Sequence, residues 1–134
     1  MTGFQLLLIG CGGFVGALSR YFVGTLVQAR FPQSTFPWGT FVINVTGSLI
    51  LGVVATLLTE RFLSNPNWRP LVTIGFVGAY TTFSTFEYET FQLGSSWQAM
   101  LNLLGSVVAG YAAIWFGARL AHAIVGIASA GHAR

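Results

Sequence analysis

Long apolar runs separated by short polar turns dominate this chain, and they predict four membrane-spanning helices. The runs cover residues 4–27, 38–58, 70–93 and 97–121. Each has about 20 residues or more, the length that an α-helix needs to cross the roughly 30 Å hydrocarbon core of a bilayer. The turns between them hold Pro, Asn, Gly and Ser, which end helices. We therefore predict an all-α membrane protein with a single four-helix domain.

The third run departs from this pattern because polar residues alternate with phenyl rings near its middle. It reads GFVGAYTTFSTFEYE from Gly75 to Glu89. Gly75 and Gly78 weaken a helix, and the hydroxyls of Thr81 and Thr82 compete for its backbone hydrogen bonds. We predict a helix that breaks between Gly78 and Thr82. Broken membrane helices expose carbonyl and amide groups that can bind ions.

Beyond the predicted break, hydroxyls and rings follow each other closely. Phe83 and Phe86 lie three residues apart and share a helical face, while Ser84 and Thr85 point to neighbouring faces. Taken alone, this segment favours ordinary packing for the rings and hydrogen bonds to the same helix for the hydroxyls. The alternative is that these groups line a path for a polar solute.

Isolated polar residues in the other runs each allow two interpretations. Asn44 is costly in an apolar run unless it is paired, so it either joins two helices, which its position alone favours, or faces a polar path. Arg20, near the end of the first run, either extends to the interface or attracts anions in a vestibule. Glu89 and Ser106 are further candidates for a vestibule or for a structural polar contact.

Small residues recur at four-residue spacing in the first and last runs. Gly12 and Gly16 form such a pair in the first run, and Gly105 with Ala109 and Ser106 with Gly110 form two in the last. Small residues at this spacing let another helix approach closely. We predict that helix contacts form at both places.

Composition supports a membrane protein and excludes several other classes. The 134 residues are 54% hydrophobic and 7% charged, with a mean hydropathy of +0.71. All six basic residues are arginines, and their scatter along the chain argues against nucleic-acid binding. No nucleophile, base and acid converge in the sequence, so we expect no enzymatic activity.

The arginines specify membrane orientation only weakly. With four crossings the two termini lie on one side, together with Arg61, Arg69, Arg119 and Arg134, and Arg20 and Arg30 lie on the other. The number of arginines differs too little between the two sides for the positive-inside preference to specify one orientation. Insertion of copies in both orientations is therefore one expected outcome. Four short helices enclose a polar route poorly, so we also expect an oligomer.

The Gly75 to Glu89 run resembles the signature of the small bacterial fluoride channels of the Fluc or CrcB family, which follows a GxxGxxTTFSTFSxE pattern. The resemblance extends to GCGGFVGALSRY in the first run, WGTFVINVTGSLILG in the second and the small residues of the fourth. Together with the WGT-x-x-x-N pattern from Trp38 to Asn44 and the chain length, these matches make the resemblance specific for this family. It implies passive fluoride export across the bacterial inner membrane, which protects against fluoride toxicity.

The resemblance also implies an assembly and an ion. It predicts an antiparallel, dual-topology homodimer with two fluoride pores and a structural Na⁺ at its centre. The backbone carbonyls of Gly78 and Thr81 would hold the sodium ion, two from each subunit.

For the pores, the resemblance implies that Phe83 and Phe86 present their ring edges, Asn44 its amide, and Ser84 and Thr85 their hydroxyls. Arg20 and Glu89 also fall on motif positions. Glu87 departs from the small serine usual in the motif. Phenyl edges and amide or hydroxyl hydrogens can replace the water around fluoride without trapping it.

Two other functions are alternatives to a fluoride channel. A small four-helix, proton-coupled multidrug or cation exporter needs a carboxylate in its first membrane helix, and the first run contains none. A purely structural membrane subunit accounts for the glycines but leaves Asn44 and the hydroxyl run unexplained.

Overall fold

Helices make up the computed structural model, which describes residues 2–132 and the side chains up to residue 130. Helix α1 spans Gly3–Arg30 and α2 spans Trp38–Thr59. The chain then forms a π-helix, π1, at Arg69–Val77, a single turn, α3, at Gly78–Tyr80, and α4 at Phe83–Gln92. Helix α5 covers Trp97–His132. Arg134, which entered the predicted charge balance, lies outside the described residues.

Three of these helices, α1, α2 and α5, are long and apolar enough to cross a membrane. The prediction of an all-helical, multi-pass membrane protein is confirmed at this level. The third apolar run is divided into pieces of 9, 3 and 10 residues, each shorter than a crossing.

The π-helix was not predicted from the sequence. Its wider turn places Gly75 so close to α1 that a Cβ on this glycine would lie 2.8 Å from the Ile9 carbonyl oxygen. Over nine residues, the apolar spacing of a π-helix does not differ recognisably from that of an α-helix. The close packing of α1 against π1 is therefore a tertiary feature that local periodicity does not reveal.

Glycines form the two principal helix contacts. Helix α1 packs against π1, where a Cβ on Gly12 or Gly16 would overlap backbone atoms of Leu71 or Phe76. The predicted contact at these glycines is confirmed. Helix α2 packs against α5 through Gly52 and Gly117.

The prediction for the last helix was only partly right. Gly110 lies against the hydroxyl of Ser48 on α2, whereas a Cβ on Gly105 would meet only Leu101 of its own helix. The closest approach of α5 to α2 is one to two turns further on, at Gly117. Helix α5 also continues past the predicted end at residue 121, because Ala, Ile and Val sustain a helix and one glycine, Gly126, does not end it.

Helix α2 ends in a left-handed turn. Arg61 has φ 57°, and its amide donates to the Leu58 carbonyl (3.2 Å) while that of Phe62 donates to the Leu57 carbonyl (3.0 Å). This is the Schellman pattern, in which glycine usually occupies the left-handed position. An arginine there is strained, because its Cβ approaches the following carbonyl oxygen.

Candidate functional site

The interruption between α3 and α4 is held by a side chain from α2. Thr81 and Thr82 both have extended backbone. The Asn44 Nδ2 donates to the Thr82 carbonyl at 3.0 Å, and the Thr82 amide donates to the Asn44 Oδ1 at 2.8 Å. A continuous helix would instead pair this amide with the Gly78 carbonyl. The Asn44 carboxamide thus takes the place of a helical peptide group.

Asn44 therefore joins two elements, the first of its two interpretations. A carboxamide nitrogen carries two hydrogens, and the Thr82 carbonyl accepts one of them. The second hydrogen leaves Asn44 a donor for a ligand, so the predicted role of its amide in a polar path stays a prediction.

The residues around the interruption are fixed by α2 as well. The Thr46 hydroxyl lies 2.9 Å from the Tyr80 hydroxyl, and a Cβ on Gly47 would overlap the Thr81 methyl group. The Thr81 hydroxyl donates to the Val77 carbonyl at 2.9 Å. About one turn of α2, from Asn44 to Gly47, thus determines the backbone path from Tyr80 to Thr82.

Thr82 begins helix α4. Its Oγ1 accepts from the Thr85 amide (3.3 Å), and its hydroxyl donates to the Thr85 Oγ1 (2.9 Å). Thr85 then keeps its own hydroxyl hydrogen for an outside acceptor. Ser84 is exposed and makes no hydrogen bond within the described chain. The positive end of the α4 dipole lies at the same place, which favours an anion.

The two phenyl rings lie beside each other in different surroundings. Their centroids are 5.9 Å apart, with the planes inclined at 40°. Phe86 is 5% exposed, whereas Phe83 is 71% exposed. Phe86 belongs to the core of this chain, whereas Phe83 presents its ring at the surface of the chain.

A cavity of about 270 Å³ brings several of the predicted residues together. Its lining includes Asn44, Thr81, Phe83, Phe86 and Ser106. The structure thus places five of the ten predicted site residues around one space, on α2, at the interruption, on α4 and on α5. Ser84, Thr85, Gly78, Arg20 and Glu89 do not line this cavity.

Asn102, which sequence reasoning missed, connects α5 to α4. It is 1% exposed, its Nδ2 donates to the Thr90 hydroxyl oxygen at 2.7 Å, and the Thr90 hydroxyl donates to the Phe86 carbonyl at 2.7 Å. Ser106 donates to the Asn102 Oδ1 at 3.3 Å. The available signal was an amide one turn before Ser106 in an apolar helix, the same signal that drew attention to Asn44.

Glu89 lies at a second, larger cavity of about 640 Å³ near the end of the bundle. The Thr40 hydroxyl donates to its Oε1 at 2.9 Å. The other oxygen, Oε2, is buried and has no hydrogen-bond partner in the described chain. Glu89 thus lies at this cavity with an unfilled acceptor, and its vestibule role stays a prediction. Thr40 is a partner that the sequence did not reveal.

Arg20 is half-buried on α1, and it lines neither of these cavities. Within the described residues it forms no salt bridge. The structure thus does not bring Arg20 to the Asn44 and Phe86 region, and both interpretations of Arg20 stay predictions.

Gly78 and Thr81 were predicted to hold a cation through their carbonyls. The described residues contain no group of three or more His, Cys, Asp or Glu side chains able to bind a metal. Backbone carbonyls are oxygen donors of the kind that hard cations prefer. Because the Thr82 amide pairs with Asn44, the Gly78 carbonyl is released from its usual helical partner, and Thr81 carries its carbonyl on extended backbone.

Residues 7–118 match the family model described as CrcB-like protein, Camphor Resistance (CrcB). This chain belongs to the CrcB family. A protein of Solibacter usitatus named Fluoride-specific ion channel FluC is 50% identical over 120 residues, covering 87% of this chain and 98% of the relative. A protein of Acidobacterium capsulatum with the same name is 43% identical over 124 residues, covering 90% and 98%. The family predicted from the sequence is confirmed.

Proposed function

We propose that this CrcB-family chain is a fluoride-selective channel that lets fluoride leave the cell passively and so protects it from fluoride toxicity. The observation that carries the proposal is the cavity lined by Asn44, Phe83, Phe86 and Ser106. Asn44 keeps a spare amide hydrogen there, and the exposed hydroxyl residues Ser84 and Thr85 follow Phe83 at the start of α4. The names of the relatives at 50% and 43% identity support the same function.

The donors in this region suit a small, strongly hydrated anion. Amide and hydroxyl hydrogens replace water, and phenyl edges carry the positive part of the ring quadrupole. No arginine lies between Arg69 and Arg119, so the route has no full positive charge that would hold the anion tightly. Weak, repeated contacts let an ion enter and leave.

The channel is proposed to be an antiparallel, dual-topology homodimer with two pores in the inner membrane. Phe83 is 71% exposed, and the buried Glu89 Oε2 has no partner in the described chain. Both observations fit a site that a second copy completes. The weak arginine asymmetry fits insertion in both orientations.

We further propose that the third crossing runs from Arg69 to Gln92 as a membrane helix broken at Thr81 and Thr82, and that a sodium ion binds at the dimer centre. The Gly78 and Thr81 carbonyls, two from each copy, would hold it, and the ion would fix the two breaks to each other. Support comes from the Asn44 pairing, which frees the Gly78 carbonyl. Oxygen contacts of about 2.3 to 2.6 Å at these carbonyls would establish a bound hard cation. The absence of such contacts in a crystal grown with Na⁺ would refute the sodium site.

A proton-coupled multidrug exporter remains the alternative, and nothing in the fold favours it. Helix α1, Gly3–Arg30, contains no Asp or Glu, so it lacks the carboxylate on which alternate binding of proton and cation depends.

The decisive experiment measures anion release from vesicles that contain the purified protein. Fluoride and chloride efflux are recorded with ion-selective electrodes, with valinomycin to carry the balancing K⁺. We expect fluoride release down its gradient, little chloride release, and no dependence on a proton gradient. Equal rates for the two halides would refute a fluoride-selective channel.

A further inference from the structure

Glu87 occupies a position on α4 that the proposed route does not yet explain. Phe83, Glu87 and Phe91 follow each other at four-residue spacing, so they form one stripe along the helix. Phe83 is 71% exposed and Phe91 79%, and Glu87 between them is exposed as well. All three line a groove of about 760 Å³ between α4 and α5, which extends from the Phe83 and Phe86 rings to Gly94.

The carboxylate of Glu87 has no hydrogen bond or salt bridge within the described chain. An unpaired carboxylate facing hydrocarbon is strongly disfavoured. Since no described residue satisfies it, the carboxylate needs water or a group outside the described chain. The groove beside it has a volume of about 760 Å³ and leads from the phenyl pair to Gly94.

We propose that water fills this groove and that Glu87 is a rate-setting residue at one mouth of the fluoride route, where its negative charge lowers the local anion concentration. The inference rests on the proposed channel function and on its route past Phe83. The other described residues that line the groove carry no charge. Among its neighbours on α4, Tyr88 accepts from Gln92, and Glu89 faces Thr40 at the other cavity. Among the described residues that line the groove, Glu87 is thus the only charged one.

The effect on rate follows from the distance between charges. Two unit charges 4 Å apart in water interact strongly enough to change a local concentration about fivefold, and at twice that distance about twofold. Removal of the charge should thus raise fluoride efflux between about twofold and fivefold at low ionic strength. At high ionic strength screening should reduce the difference, because the Debye length falls from about 30 Å at 0.01 M to about 3 Å at 1 M.

The test compares fluoride efflux from vesicles holding the wild-type protein, Glu87→Gln or Glu87→Lys, across a range of impermeant salt. We expect wild-type flux to rise with ionic strength, Glu87→Gln flux to be higher and nearly constant, and Glu87→Lys flux to fall with ionic strength. Glu60→Gln is the matched control, because Glu60 is exposed at the end of α2 and pairs with His122 at 3.5 Å. A merely structural role would not reverse the sign of the salt dependence.

A second measurement tests whether position 87 is exposed to water, and it does not depend on fluoride flux. Cys11 is the single cysteine, so Glu87→Cys in a Cys11→Ala background can be treated with a membrane-impermeant, water-borne thiol reagent. Rapid labelling is expected, with Phe22→Cys on the apolar surface of α1 as the slow control. Equal, slow labelling of both sites would overturn the proposal.

The experiments distinguish a failure of the proposed channel function from a failure of the proposed role of Glu87. If wild-type vesicles release no fluoride, the proposed function is wrong, and thiol labelling still decides whether Glu87 lies in water. If wild-type vesicles conduct but Glu87→Gln matches them at every salt concentration, only the role of Glu87 is wrong. Loss of the oligomer in Glu87→Gln on size-exclusion chromatography would overturn the proposal too, since it would show that a partner residue pairs with the carboxylate.

Discussion

Removal of the Asn44 side chain should destabilise the protein more than any other single polar deletion in α2. Asn44→Ala leaves both the amide and the carbonyl of the buried Thr82 without the hydrogen bonds that now join them to the carboxamide, at 2.8 and 3.0 Å. A backbone group left unpaired in a buried place costs about 1 to 3 kcal/mol. Because water can reach part of the adjacent cavity, we expect a loss of about 2 to 4 kcal/mol in the free energy of unfolding.

The assay is denaturant unfolding in detergent, followed by the fluorescence of the four tryptophans. Thr59→Val is the control, because that hydroxyl donates only to the Ala55 carbonyl of its own helix and is exposed; its effect should stay within about 0.5 kcal/mol. A loss below about 0.5 kcal/mol in Asn44→Ala would refute the view that this side chain replaces a helical peptide group. Should Asn44→Ala fail to fold, Asn44→Asp, which keeps the acceptor for the Thr82 amide, should retain part of the stability.

Further predictions concern the pore, the helix contacts and one turn. Phe83→Ile or Phe86→Ile should slow fluoride efflux without loss of the oligomer, and unchanged flux in both would move the route elsewhere. Gly52→Ala should cost about 1 to 3 kcal/mol, because the new Cβ meets the Ile114 backbone. Gly10→Ala, whose Cβ meets nothing within 4 Å inside α1, should cause no loss of stability in the same unfolding assay, because alanine favours a helix over glycine. Arg61→Gly should stabilise by about 1 kcal/mol by relieving the left-handed conformation, φ 57°; a loss of stability would contradict this account.

The sequence allowed prediction of features that depend on local pattern. Apolar runs of sufficient length predicted α1, α2 and α5, and the motif around Thr81 and Thr82 predicted the family. Gly12 and Gly16 were recognised because four-residue spacing places them on one helical face. These features need no knowledge of which helices become neighbours.

Features that depend on neighbouring helices were missed. The contacts at Gly52 and Gly117 require knowledge of the height at which α5 crosses α2, which no spacing within one helix specifies. The Thr40 hydroxyl donates a hydrogen bond to Glu89, 49 residues away along the chain. Asn102 donates one to Thr90, 12 residues away across a turn. A polar side chain in an apolar run signals a partner, but the partner's identity comes only with the fold.

The Asn44 pairing also has a consequence for the order in which this protein can be built. Asn44 precedes Thr82 by 38 residues, so the ribosome completes α2 well before the interrupted segment emerges. The carboxamide is therefore available as a partner by the time the peptide of Thr82 leaves the ribosome. Reversal of the order of the two segments along the chain would remove that early partner and leave the final contacts unchanged.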